Sequence, residues 1–591
     1  MGDLDYPNIA NATNGTTSSK GSSMTVIRRT EQQMENEAQS FMSHWRDLSD
    51  YVKPRRSRFY PGDTNKGSKK NQNILDSTGT QAVNTLASGI MGGVTNPARP
   101  WFKLVAATPE LNEMKSVRSW LESVEERMTS VFAKSNVYNV LPDLYADASL
   151  FATGCVFVDE DFDDVMRLYS FPVGEYFLGA DDTGRVNKFY RKFQMMVCQI
   201  VERFGTLPNG EIDWSRISAH VKNLYETNAT EEWIEVRHII MPNKKWDERK
   251  PESKYKKFVS VYHEASASDV TEMDTMLSEK GYDYFPILAP RWRCSGTDIY
   301  GTDSPGMIAL GDIKQLQKVQ GRILLATEKS VNPSMKAPTS LKGRKITQLP
   351  GDVTFVDETD TQKYSAAHEP TLNLEHAMVL QQETRDRINA AFYVPLFMML
   401  SMTDRRDITA REVEEKHEEK LLMLGPVLFT IEEEILNPLV DIAYTLMLRQ
   451  GLIPEPPEEV QGQELRAEYI SVLFQAQKMT ALAQHERFQM FAGQWAALDP
   501  TALDGVNKYA IIRSYAEAVG MPSDSTLEQA QIDDIRAQRQ KAMQEQQAAE
   551  MAAKQTQAAK NLGTTPMGQG SALDELLDQS QAGDIAGVVP E

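Results

Sequence analysis

The residues that could do chemistry are few and poorly grouped. Gly62-Asp63-Thr64-Asn65-Lys66-Gly67-Ser68-Lys69 comes close to a phosphate-binding loop. Its order is Gly-Ser-Lys instead of Gly-Lys-Ser/Thr, which misplaces the lysine, and no apolar strand leads into it. It reads as a basic surface loop, within a run that holds Lys53, Arg55, Arg56, Arg58, Lys66, Lys69 and Lys70. The acidic run Asp159 to Asp164 offers carboxylate oxygens to a divalent cation but lacks the glycine and ligand spacing of an EF-hand. It reads as a hairpin tip carrying solvated charge. His417-Glu418-Glu419 has no second histidine at metal spacing, so an exposed helix face is expected. Cys155, Cys198 and Cys294 are far apart and odd in number, which fits neither a zinc site nor a disulfide framework. There is no Gly-x-Ser-x-Gly elbow and no credible Cys/His pair. No catalytic residue, metal or cofactor is expected, and the chain is not read as an enzyme.

The elements that carry these residues are mostly long helices. The stretch Ser304 to Gln450 reads helix, insert, helix, loop, then a very long helix. The first rod starts at Asp303-Ser304-Pro305, with Met307, Ile308, Ile313, Leu316, Val319, Ile323 and Leu324 mostly at helical spacing. The second spans about 372–392. The loop 395–407 ends in Thr403-Asp404-Arg405-Arg406-Asp407, and the last helix begins near Thr409. Its Val413, Leu421, Leu424, Leu428, Ile431, Ile435, Leu439 and Ile442 form one stripe, and it should kink at Gly425-Pro426 and Asn437-Pro438. At 1.5 Å per residue the two longer rods measure about 37 and 60 Å. Rods of this length with one apolar stripe bury best against copies of themselves.

Elsewhere, residues 1–23 read as disordered. An amphipathic helix follows from Met24 to Val52, with Val26, Met34, Ala38, Phe41, Met42 and Trp45 on its apolar face, and then a buried helix from Ile74 to Val94. Helices are expected at 111–134 and 137–152, and antiparallel strands between Gly154 and His263. Helices are also expected at about 462–497 and 506–518. The Ala/Gln/Glu-rich segment from Ser525 to about Lys560 reads as a solvated helix, and the last thirty residues as disordered. The fold class is α+β, predominantly helical. With 591 residues, two to four structural units are expected. The formal charge of −20 argues against a surface that grips nucleic acid along its length. No window is apolar enough to span a membrane, and the amino terminus does not read as a signal peptide.

Ordered motifs along the chain resemble the head-to-tail connecting (portal) proteins of short-tailed bacteriophages. They are LASGIMGGVTNPARPWFKL from Leu86 to Leu104, Pro290-Arg291-Trp292, Ile299-Tyr300-Gly301 and Ser304-Pro305-Gly306. Thr409 to Val413, Leu424 to Leu428, Tyr469-Ile470-Ser471 and Phe488 to Leu498 follow. The resemblance implies a homo-oligomeric ring of twelve subunits at one capsid vertex, through which double-stranded DNA is packaged and ejected without sequence specificity. It implies a wing at 24–303 completed by a long helix at 408–450, and stem helices at 304–330 and 371–394. It also implies a clip at 331–370, a channel loop at 395–407, a crown at 460–520, a helical barrel at 521–560 and a tail at 561–591. The implied partners are the terminase packaging motor, tail adaptors, and the major capsid and scaffolding proteins, in the virion after assembly in the host cytoplasm. Thr403, Asp404, Arg405, Arg406 and Asp407 would approach DNA, while Lys336, Lys342, Arg344 and Lys345 would face motor or tail. The alternatives are a terminase-like motor, which needs an intact phosphate loop, and a scaffolding or tail-assembly protein, which needs sustained heptads.

Overall fold

The computed structural model describes residues 18–563 except 61, 64–66, 109–110, 208, 266–275, 297, 332–334, 337–364, 367–373, 402–423 and 471–528. Backbone contacts divide the chain into two units, 1–485 and 486–591.

The first unit opens with α1 (Ser18–Tyr51), which includes residues 18–23 that were expected to be disordered. Its buried face carries Met24, Ile27, Met34, Ala38, Trp45 and Leu48, whereas Val26 faces outward. Then come α2 (Thr78–Val94), β1 (Phe102–Ala106), α3 (Lys115–Lys134) and α4 (Val137–Phe151). A mixed region follows: β2 (Val156–Asp161), β3 (Val165–Ser170), β4 (Tyr176–Ala180), β5 (Val186–Met196), the short α5 (Val197–Ile200), α6 (Ala219–Glu226), β6 (Trp233–Pro242), β7 (Phe258–Glu264), β8 (Met276–Tyr282) and β9 (Ile287–Leu288). Five of these strands form an antiparallel meander in the order β4-β5-β6-β7-β8, and three form a second sheet, β3-β2-β9. The expected α+β class is observed, with strands where β-branched and aromatic residues alternate between turns.

Two long helices leave this body. They are α7 (Pro305–Val331) and α8 (Leu374–Ala391), with β10 (Met335–Lys336) and β11 (Ser365–Ala366) between them and α9 (Val394–Ser401) after them. Residues 395–401, read from the sequence as loop, are therefore helical. Past residue 423 the chain runs as α10 (424–431), a π-helical turn (Glu432–Leu436) and α11 (Asn437–Arg449). The expected irregularity at Asn437-Pro438 takes this form. Pro438 lacks an N–H, and its ring crowds the carbonyl four residues back, so the wider π turn ending at Leu436 absorbs the mismatch. Leu424, Leu428, Ile431, Ile435, Leu439 and Ile442 are all buried, as one stripe.

After Pro457 the chain was expected to be helical from about 462. It instead forms β12 (Leu465–Tyr469), which pairs antiparallel with β1 in the register Phe102↔Tyr469 to Ala106↔Leu465. The edge of β1 decides this assignment, because local sequence cannot report a partner more than 350 residues away. One apolar core runs from α1 through β2, β4 and α7 to α11, and a small second core lies between the five-stranded sheet and α5 and α6. Described by itself, the second unit contains, among its described residues, the helix Gln529–Gly563, whose described side chains are exposed.

Candidate functional site

The entry to α7 is built from three consecutive residues. The Ser304 hydroxyl accepts from the Met307 N–H at 3.2 Å, capping the helix, and donates to the Leu150 carbonyl at 3.1 Å. Pro305 follows at the first helical position, where a missing N–H costs nothing. Gly306 lies so close to α4 that a Cβ would stand 2.4 Å from the Leu150 carbonyl oxygen. The rod is thereby fixed in direction at its root, where Ala309, Leu310, Ile313, Leu316 and Gln317 are buried.

Gln317 uses both ends of its amide. Its Oε1 accepts from the N–H groups of Leu75 and Asp76 at 2.7 and 2.8 Å, and its Nε2 donates to the Asp76 carbonyl at 2.8 Å. The Asp76 carboxylate accepts from the Thr78 N–H at 2.9 Å and from Arg385 of α8 at 2.7 and 3.1 Å. Burial pushes Asp76 up, but the hydrogen bonds from Thr78 and Arg385 outweigh it and hold the carboxyl below its ordinary value. One buried carboxylate and one buried amide thus join α2, α7 and α8. Lys314 reaches Asp47 at 2.7 Å, Arg387 reaches Asp312 at 3.0 Å, and Gln381 bonds Gln320. On α8 the buried residues Gln381, Thr384 and Ile388 make one stripe, and Phe392 continues it.

The far ends of the rods differ from their roots. No residue of α7 beyond Gln317 is buried. Leu324, Leu325, Val331, Met378 and Val379 are more than half exposed there, among Lys318, Arg322, Glu328 and Lys329. Ile308 and Leu324, counted from the sequence as part of the α7 stripe, are exposed. The insert leaves and returns through one narrow neck, where Met335↔Ala366 and Lys336↔Ser365 pair antiparallel.

Of the residues singled out from sequence, Lys336 lies in that neck, while Lys342, Arg344, Lys345, Thr403, Asp404, Arg405, Arg406, Asp407 and His417 lie outside the described residues. The basic loop after α1 turns two cations inward. Arg56 pairs with the buried Asp147, and Arg58 pairs with the buried Glu175 at 3.0 Å, which Arg191 also reaches at 2.6 Å. The look-alike phosphate loop is preceded by α1 and followed by a three-residue turn of helix at Asn71–Asn73, not framed as strand–loop–helix. Lys70 there pairs with Asp63 at 2.7 Å. The acidic hairpin tip is solvated at Phe162, while Glu160 meets Arg449 at 3.0 Å. Among the described residues no three potential metal ligands come together. Buried Cys155 has its thiol pushed well up by burial. Arg291 pairs with Glu434 of the π turn and its own N–H donates to Glu434 at 2.7 Å, while His263 meets Glu31 at 2.6 Å in the core. A cavity of about 10 Å³ lined by Ile90, Tyr145, Trp292, Val427 and Ile431 has room for one water molecule at most. Sequence reasoning missed Asp76, Gln317 and Arg385. The one available signal was a glutamine beside Leu316 in the apolar phase of α7.

Geometry of this kind positions rods. The sequence pattern of the family described as "Bacteriophage head to tail connecting protein" matches residues 25–527. The chain belongs to that family. It is 42% identical over 551 residues to the portal protein of Salmonella phage epsilon15, covering 93% of this chain and 97% of the relative. It is 39% identical over 548 residues to the probable portal protein of Bordetella phage BPP-1, covering 92% and 96%. A chain from the virion of a native gene transfer agent particle aligns over 79% of this chain and 96% of its own at 10% identity, with a TM-score of 0.35, too remote to bear on the fold. In this connector, Trp101, Tyr300 and Tyr469 of the ordered motifs pack inside the fold. Trp101 stacks on Phe132 and on Tyr469, Tyr469 donates to Asn437 at 2.7 Å, and the Tyr300 hydroxyl accepts from the Leu178 N–H at 2.9 Å.

Proposed function

We propose that this head-to-tail connector acts as a ring, with twelve copies around a channel through which double-stranded DNA enters and leaves the capsid, and that it does so without catalysis. The observation that carries this reading is the contrast along α7 and α8. Their roots are locked by Asp76, Gln317 and Arg385, whereas at their far ends Leu324, Leu325, Val331, Met378 and Val379 are more than half exposed. Apolar side chains on paired rods are best buried by the same rods of a neighbouring copy. In this reading 24–303 is a wing, α7 and α8 are stem helices, and the insert 331–370 is a clip. In this reading the crown starts past Tyr469, where β12 ends, and the channel loop starts at residue 402, after α9.

The connector's partners in this reading are the packaging motor and then tail adaptors at the clip, through Lys336, Lys342, Arg344 and Lys345, and the capsid shell and scaffold around the wing. Its place is the portal vertex of the virion, reached after assembly in the host cytoplasm. Twelve chains at −20 each carry about −240 in total, so the wall repels phosphate and does not hold its cargo. Arg405 and Arg406 supply rare positive charge to centre or brake the duplex. No helix among the described residues is long and apolar enough to cross a membrane. Native mass spectrometry of the purified chain tests the ring: a twelve-subunit species is expected, and a monomer or dimer under all assembly conditions contradicts it. Replacing Arg405 and Arg406 with Glu should impair DNA packaging or retention while rings still form. Particles that fill and hold DNA normally would remove the loop from this role.

A further inference from the structure

The β6–β7 connection breaks the acidic character of the chain. Residues 243–257 hold seven cations against three carboxylates. Lys244, Lys245, Arg249, Lys250, Lys254 and Lys257 are exposed, as is Trp246 between them. Among the described residues Lys244, Lys245 and Arg249 have no carboxylate within 4.0 Å, while Lys250 and Lys254 pair locally with Asp247 and Glu252. Lys257 lies over the Trp246 ring at 5.6 Å, and Lys250 over Tyr255 at 4.3 Å.

The loop is held in one shape. The Asn243 side-chain amide donates to the Lys254 and Lys256 carbonyls at 2.8 and 2.9 Å, and its oxygen accepts from the Lys245 N–H at 3.0 Å. The Asp247 N–H donates to the Tyr255 carbonyl at 3.0 Å, and Lys256 is anchored to Asp283 at 2.7 Å. Gly281 of β8 permits the close seating, because a Cβ there would stand 2.0 Å from the Ser253 carbonyl oxygen. The cations are thus presented on a fixed scaffold, without the ordering cost of a floppy tail.

We infer that this loop is a sequence-independent docking surface for the phosphate backbone of double-stranded nucleic acid, on the mixed α/β region and distinct from the rods and the channel loop. The residue types select the partner. Six of the seven cations are lysines, compact point charges suited to phosphates without fixed geometry. Protein interfaces favour arginine and are depleted in lysine. Salt screening at physiological ionic strength confines the attraction to within about 8 Å of the loop, and the net charge of −20 opposes contact elsewhere, so binding is local and weak enough to be reversible. The inference does not depend on the ring reading.

The test is fluorescence anisotropy of a labelled duplex of about 30 base pairs with the full-length chain, from 50 to 200 mM NaCl. Contacts from Lys244, Lys245, Arg249 and Lys257 predict a log–log salt slope of about −3 to −4. The variant K244Q/K245Q/R249Q/K257Q should lose about tenfold or more in affinity at 50 mM salt and most of that slope. Asp247→Asn with Glu252→Gln frees Lys250 and Lys254, and should tighten binding several-fold. Native mass spectrometry on the same samples should show unchanged assembly. Binding that is unaffected by the first variant, or no binding by the parent chain at 50 mM salt, overturns the inference. Competition by polyglutamate as effective as competition by duplex of equal charge also overturns it, in favour of an acidic protein.

Discussion

Asp76 carries more of the architecture than its position before α2 suggests. Its carboxylate serves Thr78 two residues away and Arg385, 309 residues away, while its backbone is held by Gln317. Asp76→Ala leaves Arg385 without its buried partner and should cost about 3 kcal/mol in urea-induced unfolding. Because the carboxyl of Asp76 titrates lower in the folded chain than the ordinary 3.8, its contribution is full above that value and is lost as pH falls through the lowered one. The stability gap between wild type and the variant should therefore narrow below about pH 4. Glu125 has the opposite sign. Burial raises it to about 7, against the Leu104 N–H that donates to it at 2.7 Å. Its stabilising protonated form is complete near pH 4.5 and is lost as pH rises through 7, so Glu125→Gln should flatten that part of the stability–pH profile. Neither group could be read from sequence, since burial and distant partners create both shifts. Cys155 is a small buried hydrophobe, while Cys198 and Cys294 are half-buried, a difference that their spacing in sequence does not show.

Among the elements, the most legible were those whose signals are local. Ser304-Pro305-Gly306 announces α7 by a cap, a first-turn proline and a small residue, and the structure adds why the third must be small. Gly306→Ala drives a methyl into the Leu150 backbone, which cannot swing aside. It should destabilise the chain by about 2 kcal/mol, measured by urea unfolding, whereas Gly311→Ala, with open space around it, should not. The irregularity near Pro438 was legible as a kink, and its π form was not, because sequence shows the missing donor but not how the backbone redistributes its bonds. The strand β12 was misread as helix. Leu465, Arg466, Ala467 and Glu468 are strong helix formers by local preference, and the edge of β1 overrides that preference. Residues 395–401, expected as loop, are helical for a related reason, since Leu396 and Phe397 are buried as part of a short helix packed against the core.

For the whole molecule, charge and rod length pointed to a scaffold before any contact was visible. What they could not give was where the rods are clamped and where they are bare. If the bare ends are faces between copies, replacing Leu324, Leu325, Met378 and Val379 together with Ser should abolish the large species in native mass spectrometry and leave the protomer's thermal unfolding within about 1 kcal/mol of wild type, as surface substitutions do. A loss of both would place these side chains in the protomer's own core.

The pairing of β1 with β12 also sets a clock. Phe102 leaves the ribosome long before Tyr469, and at about 5–20 residues per second the interval is roughly 20–70 s. Through that interval the edge of β1 has its hydrogen-bonding groups unmatched, and Trp101 lacks the ring of Tyr469 beside it. A nascent chain therefore cannot finish its first unit until nearly all of that unit is made. Chains broken off before Leu465 lack β12 and keep an open strand edge for chaperones or proteases to find.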